Sequence, residues 1–308
     1  MDEQVVDVGG VPLLVRAPDP ALACLVTANL VGFPATDARP VVSMSVVTER
    51  GAAPARPADD ELLGMRLWFE DDGIVATSRG LVIRAAGDVA VAHLPDADDG
   101  DHLEDLTSLA LVWLLAPHAR FVLHGGALAR DDRAVLVLGR TGSGKSTLAA
   151  AALEGGWRVL ADDQVVLDAS STPVVVHGLH QSPAIPREIG GTYADAGVAL
   201  GDPRDRAQLS RDVLATGGVP VAGVVLVTHS QLDEGELDPA TAASVFPLAV
   251  QSFPGSSEAR LRAAYFPVAG ALARLPGFTL RHARTASRRR ARAVAHLESV
   301  FAAFSDSR

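Results

Sequence analysis

Residues 133–168 read RAVLVLGRTGSGKSTLAAAALEGGWRVLADDQVVLD, and this stretch decides the fold of the chain around it. An apolar run leads into a glycine-rich loop, which leads into an alanine-rich segment closed by two glycines. These patterns predict a strand, a tight loop and a helix. A second apolar run follows, ends in two aspartates and predicts another strand. The stretch therefore indicates an α/β fold.

The glycine-rich loop matches G-x-x-x-x-G-K-[ST], which binds nucleotide phosphates where it joins a strand to a helix. Glycines let backbone N–H groups turn toward phosphate oxygens, and the helix N-terminus adds its positive dipole end. Lys145 should contact the β and γ phosphates, and Ser146 should offer its hydroxyl to Mg²⁺. We predict that the nucleotide is ATP. The predicted binding residues are Gly139, Arg140, Thr141, Gly142, Ser143, Gly144, Lys145, Ser146 and Thr147.

Two adjacent aspartates, Asp162 and Asp163, begin only 17 positions after Lys145. A short helix, a glycine turn and one strand fill that interval, so the pair should return to the phosphate end of the sheet. One carboxylate can hold Mg²⁺ while the other accepts a proton from an attacking hydroxyl. In many P-loop ATPases the metal-orienting acid lies further along the chain. The spacing therefore favours a kinase, although ADDQ taken alone is typical of a solvated turn.

Composition limits the other classes of function. The chain has 308 residues, 48% of them hydrophobic, and a net charge of −10, which argues against a nucleic-acid partner. The basic run RHARTASRRRARA near the C-terminus is typical of a solvated helix face. One cysteine allows no intrachain disulfide. The acidic N-terminus and short apolar runs predict no membrane segment and a cytoplasmic protein.

Patterning along the chain predicts two domains, 1–118 and 119–308. The first alternates short β-like runs with Gly, Pro and Asp, typical of a smaller, mainly antiparallel β domain, and ends in a junction helix, LEDLTSLALVWLLA. In the second, two β runs flank RDDR and predict a hairpin that feeds the glycine-rich loop. The later run GFTLRHA is predicted to be an edge strand.

The run HGGALARDDRAVLVLGRTGSGKSTLAAAALEGGWRVLADDQVVL resembles the catalytic domain of the HPr serine kinase/phosphorylase family. A histidine about fifteen residues before the loop, the loop itself and a strand ending in Ala-Asp-Asp recur there in this order. The resemblance covers residues 120 to about 191 well, and the C-terminal third matches only in general character. Residues 1–100 share no motif with the family's usual N-terminal domain. It implies an HPr kinase-like P-loop domain, with a mixed sheet around a central helix.

The resemblance also implies roles for individual residues. Asp162 would be the base toward the acceptor hydroxyl and Asp163 would lie nearer the metal, although their order stays open. His124 corresponds to the family's histidine near the phosphates. Glu188, in AIPREIGG, matches part of the family's L-E-I-R-G signature and is a candidate metal ligand.

Two departures from the family pattern bear on activity. Gly190 stands where the signature has arginine, which disfavours the reverse, phosphorylase reaction. Thr147 stands where HPr kinases often have Glu. The chain is thus similar to divergent HPr kinase-like proteins of peptide-product gene clusters.

Three functions follow as alternatives. The first is an ATP-dependent kinase acting on a serine of a protein or peptide. The others are a kinase of a small-molecule hydroxyl such as free serine, and a nucleotide-binding regulatory or scaffold protein that transfers no phosphate. By resemblance, we expect a homo-oligomer, with a hexamer as the family's assembly.

Overall fold

The computed structural model describes the backbone of residues 1–27, 30, 32–62, 64–94, 100–179, 184–186, 199–200, 206–208, 214–229, 235–282 and 286–305. Its α-helices are α1 (Pro20–Thr27), α2 (Gly100–Leu115), α3 (Lys145–Glu154), α4 (Ala242–Gln251), α5 (Ala259–Ala273) and α6 (Ala286–Ser305). None of the helices in these ranges combines the length and apolar character needed to cross a lipid bilayer.

The strands of the N-terminal half form one eight-stranded sheet in the order β1-β2-β3-β8-β7-β6-β5-β4. Strand β3 pairs in parallel with β2 and β8, and the other neighbours are antiparallel, so the sheet is mixed. Helix α2 packs against its central strands. These strands are β1 (Asp2–Asp7), β2 (Pro12–Ala17), β3 (Val42–Val47), β4 (Asp60–Leu62), β5 (Met65–Phe69), β6 (Gly73–Ser78), β7 (Leu81–Ala86) and β8 (Val89–His93).

The second sheet has nine strands among the described residues, in the order β12-β10-β11-β18-β14-β13-β9, with β20 between β18 and β19. It is also mixed, because β11, β18 and β20 are parallel while β10 is antiparallel to β11 and β12. These strands are β9 (Arg120–His124), β10 (Gly126–Arg130), β11 (Arg133–Leu138), β12 (Arg158–Ala161), β13 (Gln164–Asp168), β14 (Val175–Leu179), β18 (Val219–His229), β19 (Glu236–Ala240) and β20 (Gly277–His282). The short strands β15 (Ala184–Pro186), β16 (Ala199–Leu200) and β17 (Arg206–Gln208) form a third sheet.

The hairpin predicted around RDDR is present as β10 and β11, in which Arg130 pairs with Arg133. Asp131 and Asp132 between them both have positive φ, 47° and 59°. This is the backbone of a type I′ turn, whose twist matches the flanking strands. The hairpin sends β11 straight into the glycine-rich loop.

Helix α3 lies in the core between the second sheet and α6. Its alanines, among the best helix formers, are buried from Ala149 to Ala152, and their small side chains allow close packing. Leu148 of α3 belongs to one apolar cluster with Val137 of β11 and Leu297 of α6. The α/β class predicted from the sequence is therefore confirmed, with two mixed sheets.

One strand prediction is wrong. The run GFTLRHA forms β20, which is not at an edge, because β18 pairs with one side of it and β19 with the other. An eleven-residue strand, β18, supplies the parallel neighbour. Pairing partners lie far away in sequence, so the local pattern could not reveal them.

The chain divides into two compact units. The first comprises Met1–Val122 with Pro254–Tyr265, and the second comprises Leu123–Phe253 with Phe266–Arg308. The domain boundary predicted between residues 118 and 119 stays a prediction.

Candidate active site

The glycine-rich loop joins β11 to α3, as the motif requires. Gly142 and Gly144 have φ of 80° and 105°, positive values that residues with a Cβ atom rarely adopt. Gly144 is also the N-cap of α3. Arg140, Thr141 and Gly142 are exposed, whereas Ser143, Lys145 and Thr147 are buried and Ser146 is half-buried. The loop therefore has an open tip and a closed base.

The base of the loop has no room for larger residues. A Cβ atom on Gly139 would lie 2.5 Å from Ser143 Oγ and 2.6 Å from the carbonyl oxygen of Val227 in β18. The Ser143 hydroxyl is itself buried, with no hydrogen-bond partner among the described residues. A buried hydroxyl without a partner is costly, and a phosphate oxygen is a group that could satisfy it.

Lys145 is the first residue of α3 and points back under the loop. Its Nζ donates to the Gly139 carbonyl oxygen at 3.0 Å and lies 3.0 Å from His124 Nε2. Burial lowers the pKa of Lys145, while the charges of Asp163 and then Asp162 raise it. Both carboxylates therefore favour the charged, ammonium form of Lys145.

His124 links the lysine to the aspartate pair. Its Nδ1 lies 3.4 Å from Asp163 Oδ1. Because an ammonium group can only donate, His124 Nε2 accepts from Lys145, and the remaining proton belongs on Nδ1, facing the carboxylate. Burial lowers the pKa of His124, the charge of Asp163 raises it and that of Lys145 lowers it. The neutral Nδ1–H form is thus the favoured one.

Backbone contacts hold the histidine in place. The N–H of His124 donates to Ser252 O at 2.8 Å, and the N–H of Gly125 donates to Asp163 O at 2.8 Å. The second contact ties the end of β9 to the turn between β12 and β13, which carries both aspartates. Asp162 is almost fully buried there, at 4% exposure, whereas the Asp163 side chain is 40% exposed.

The structure thus brings together Lys145, His124 and Asp163, with Asp162 beside them. Glu188, the third predicted metal ligand, lies outside the described residues. Within the described ranges, no group of three or more His, Cys, Asp or Glu side chains forms a metal cluster. Mg²⁺ at nucleotide sites needs no such cluster, since one hydroxyl, one carboxylate and phosphate oxygens suffice. Ser146 and Asp163 are of the types that fit this requirement.

The sequence analysis missed one residue that contacts the loop. His282, the last residue of β20, is 2% exposed, and its Nε2 lies 3.2 Å from the Gly144 carbonyl oxygen. The only local signal was a polar residue at the end of an apolar run, which does not reveal a contact so distant in sequence.

Comparisons with known proteins add little to this geometry. No family model and no curated protein matches the chain. Among solved structures, it is similar to the Hpr(Ser) kinase/phosphatase from Coxiella burnetii, with a TM-score of 0.30 and 11% sequence identity over 59% of this chain and 98% of that one. A similarity this weak does not establish a family, so membership of the HPr kinase family stays a prediction.

Proposed function

We propose that the chain is an ATP-dependent kinase that transfers the γ-phosphoryl group to a serine-type hydroxyl of a protein or peptide. The observation that supports this most is the contact of Lys145 with His124, beside an aspartate pair and under a phosphate-type loop. A loop that only held Mg²⁺ and nucleotide would need the lysine and one carboxylate, which leaves the second carboxylate for the acceptor hydroxyl. Two carboxylates next to it fit phosphoryl transfer to a hydroxyl.

The glycine-rich loop and the first turn of α3 would bind the nucleotide. Backbone N–H groups of residues 139–147 would surround the phosphates, and the Ser143 hydroxyl would gain a phosphate acceptor. Lys145 would turn from Gly139 O toward the β and γ phosphates. Ser146 and Asp163 would hold Mg²⁺, which neutralises charge on the phosphates when bound.

Transfer would then need a base. Asp162 accepts the hydroxyl proton of the acceptor, the acceptor oxygen bonds to the γ phosphorus, and the bond to the β–γ bridging oxygen breaks to release ADP. His124 lies between Lys145 and Asp163. Its Nε2 accepts a hydrogen bond from the Lys145 ammonium, and its Nδ1 faces the Asp163 carboxylate. Lys145 stabilises the transferring phosphoryl group throughout.

The test is transfer of label from γ-labelled ATP to candidate acceptors. The acceptor panel contains HPr-like protein, short peptides ending in serine, and free serine. Asp162→Asn should lower the transfer rate by about 10²-fold to 10⁴-fold while nucleotide affinity stays within a few-fold. Transfer unchanged by this substitution would remove Asp162 from the role of base.

Asp168→Asn is the matched control. Asp168 is a buried aspartate on β13 whose Oδ1 accepts from Ser170 N and Oγ, so it serves the local turn. Its loss should lower stability but leave kcat of the folded fraction unchanged. A parallel loss of kcat in both variants would indicate a general effect on folding.

The same assay separates the alternatives. Transfer to free serine alone favours a small-molecule kinase, and tight nucleotide binding with no product favours a regulatory or scaffold protein. Incubating phosphorylated acceptor with inorganic phosphate tests the reverse reaction, which we expect to be absent. The role of Glu188, the homo-oligomer and the cytoplasmic location stay predictions.

A further inference from the structure

His282 reaches the nucleotide loop from a strand that is remote in sequence. Strands β11, β18 and β20 are parallel, and Leu138 pairs with Leu226 while His229 pairs with His282. Their carboxyl ends therefore meet at one edge of the sheet, where ligands bind in open α/β sheets. The ring of His282 is buried at this edge, against the Gly144 peptide.

In the hydrogen bond between His282 and Gly144, the histidine is the donor. A carbonyl oxygen can only accept, so the Nε2 atom that lies 3.2 Å from Gly144 O carries a proton and donates it. The same oxygen accepts the first hydrogen bond of α3, from Leu148 N at 3.0 Å. The imidazole thus adds a second donor to the carbonyl at which the helix begins.

Gly144 and His282 also fit each other in shape. A Cβ atom on Gly144 would lie 2.5 Å from His282 Cδ2 and 2.8 Å from Nε2. The space of a side chain at position 144 is therefore occupied by the imidazole. The φ of 105° at Gly144 requires glycine for a separate reason.

Peptide geometry connects this contact to the phosphates. The C=O of Gly144 and the N–H of Lys145 belong to one planar trans peptide, in which they point in opposite directions. A donor that holds the carbonyl oxygen therefore also sets the direction of the Lys145 N–H. In a phosphate-binding loop, that N–H is one of those directed at the ligand.

We infer that His282 is a positioning residue of the nucleotide site: it orients the 144–145 peptide so that the Lys145 N–H is aimed at phosphate before the nucleotide arrives. The inference rests on the proposed function, because it assumes that the loop binds nucleotide. His282 does not touch the ligand and acts through Gly144.

Two conservative substitutions test the inference. In His282→Gln the amide nitrogen can occupy the place of Nε2, whereas the shorter side chain of His282→Asn does not reach it. Affinity for Mg·ADP, measured by calorimetry on the full chain, should fall by about threefold to tenfold in His282→Asn, the loss of one net hydrogen bond. His282→Gln should bind within about twofold of the wild type. In the transfer assay, the asparagine variant should raise KM for ATP more than it lowers kcat.

Leu280→Val is the matched control. Leu280 is buried on the same strand but packs in the apolar cluster with α3 and α6. It should lower the melting temperature without changing Mg·ADP affinity.

Each result decides one point. Wild-type affinity in His282→Asn, or equal losses in the asparagine, glutamine and Leu280→Val variants, would overturn the positioning role. Failure of the wild type to bind Mg·ADP would instead overturn the proposed function itself. A loss confined to the asparagine variant supports the inference, even if no acceptor is phosphorylated.

Discussion

Replacing Ser143 with alanine should stabilise the nucleotide-free protein and weaken nucleotide binding. The Ser143 side chain is 6% exposed, and its hydroxyl has no hydrogen-bond partner among the described residues. A residue with this property in a loop that binds nothing would be a defect. In a nucleotide site the same hydroxyl can donate a hydrogen bond to a phosphate oxygen. The alanine variant should therefore raise the stability of the nucleotide-free protein and lower its affinity for nucleotide.

The expected sizes follow from the burial of the hydroxyl. An unsatisfied buried polar group costs about 1–3 kcal/mol, and the alanine variant removes this cost while losing the packing of one oxygen atom. We expect the free energy of unfolding to rise by about 1 kcal/mol. A hydrogen bond to a charged phosphate contributes about 1.5–3 kcal/mol, so affinity for Mg·ADP should fall by about 10-fold to 150-fold.

Urea unfolding and calorimetric titration measure the two effects. Ser252→Ala is the matched control, because Ser252 is also buried but its hydroxyl donates to Leu248 O at 2.8 Å. That variant should lose about 0.5–1.5 kcal/mol of stability and keep its nucleotide affinity. If Ser143→Ala is destabilised by as much as Ser252→Ala, the hydroxyl is satisfied in the free protein and the reasoning is refuted. Unchanged affinity for Mg·ADP would show that it does not serve the ligand.

Three further predictions concern single residues. Gly139→Ala places a Cβ 2.6 Å from the Val227 carbonyl, so it should lower stability and nucleotide affinity, whereas Gly142→Ala meets no atom within 4 Å and should cost only about 1–2 kcal/mol of backbone strain in urea unfolding. Nitrogen NMR of labelled histidine should find His124 neutral with its proton on Nδ1; a proton on Nε2 would contradict the contact with Lys145. Burial raises the pKa of Tyr265 above its ordinary value of 10.0, so the unfolded chain releases this proton first, and the free energy of unfolding should fall as the pH rises above 10.0. Tyr265→Phe should weaken that dependence, and phenolate absorbance that develops at Tyr265 well before the circular dichroism changes would contradict it.

Much of the core of the second unit could be predicted from local patterns. Three segments have strong short-range backbone preferences: the loop glycines, the alanine run and the Asp131–Asp132 pair. The structure has a tight loop at the first, helix α3 at the second and a hairpin turn at the third. The neighbourhood of Lys145 and the aspartates was also predictable, because a short helix and one strand return the chain to its starting edge. The place of β20 was not predictable in this way.

The sequence by itself determined that a phosphate-type loop lies between a strand and a helix and that two aspartates follow it closely. Tertiary structure decided which groups meet there: His124 between Lys145 and Asp163, the buried hydroxyl of Ser143, and His282 against Gly144. The physical reason is the range of the interactions. Backbone preferences act over a few residues and can be read from the local sequence. The contact of His282 with Gly144 depends instead on the pairing of β18 with β20, and it joins residues separated by 138 positions.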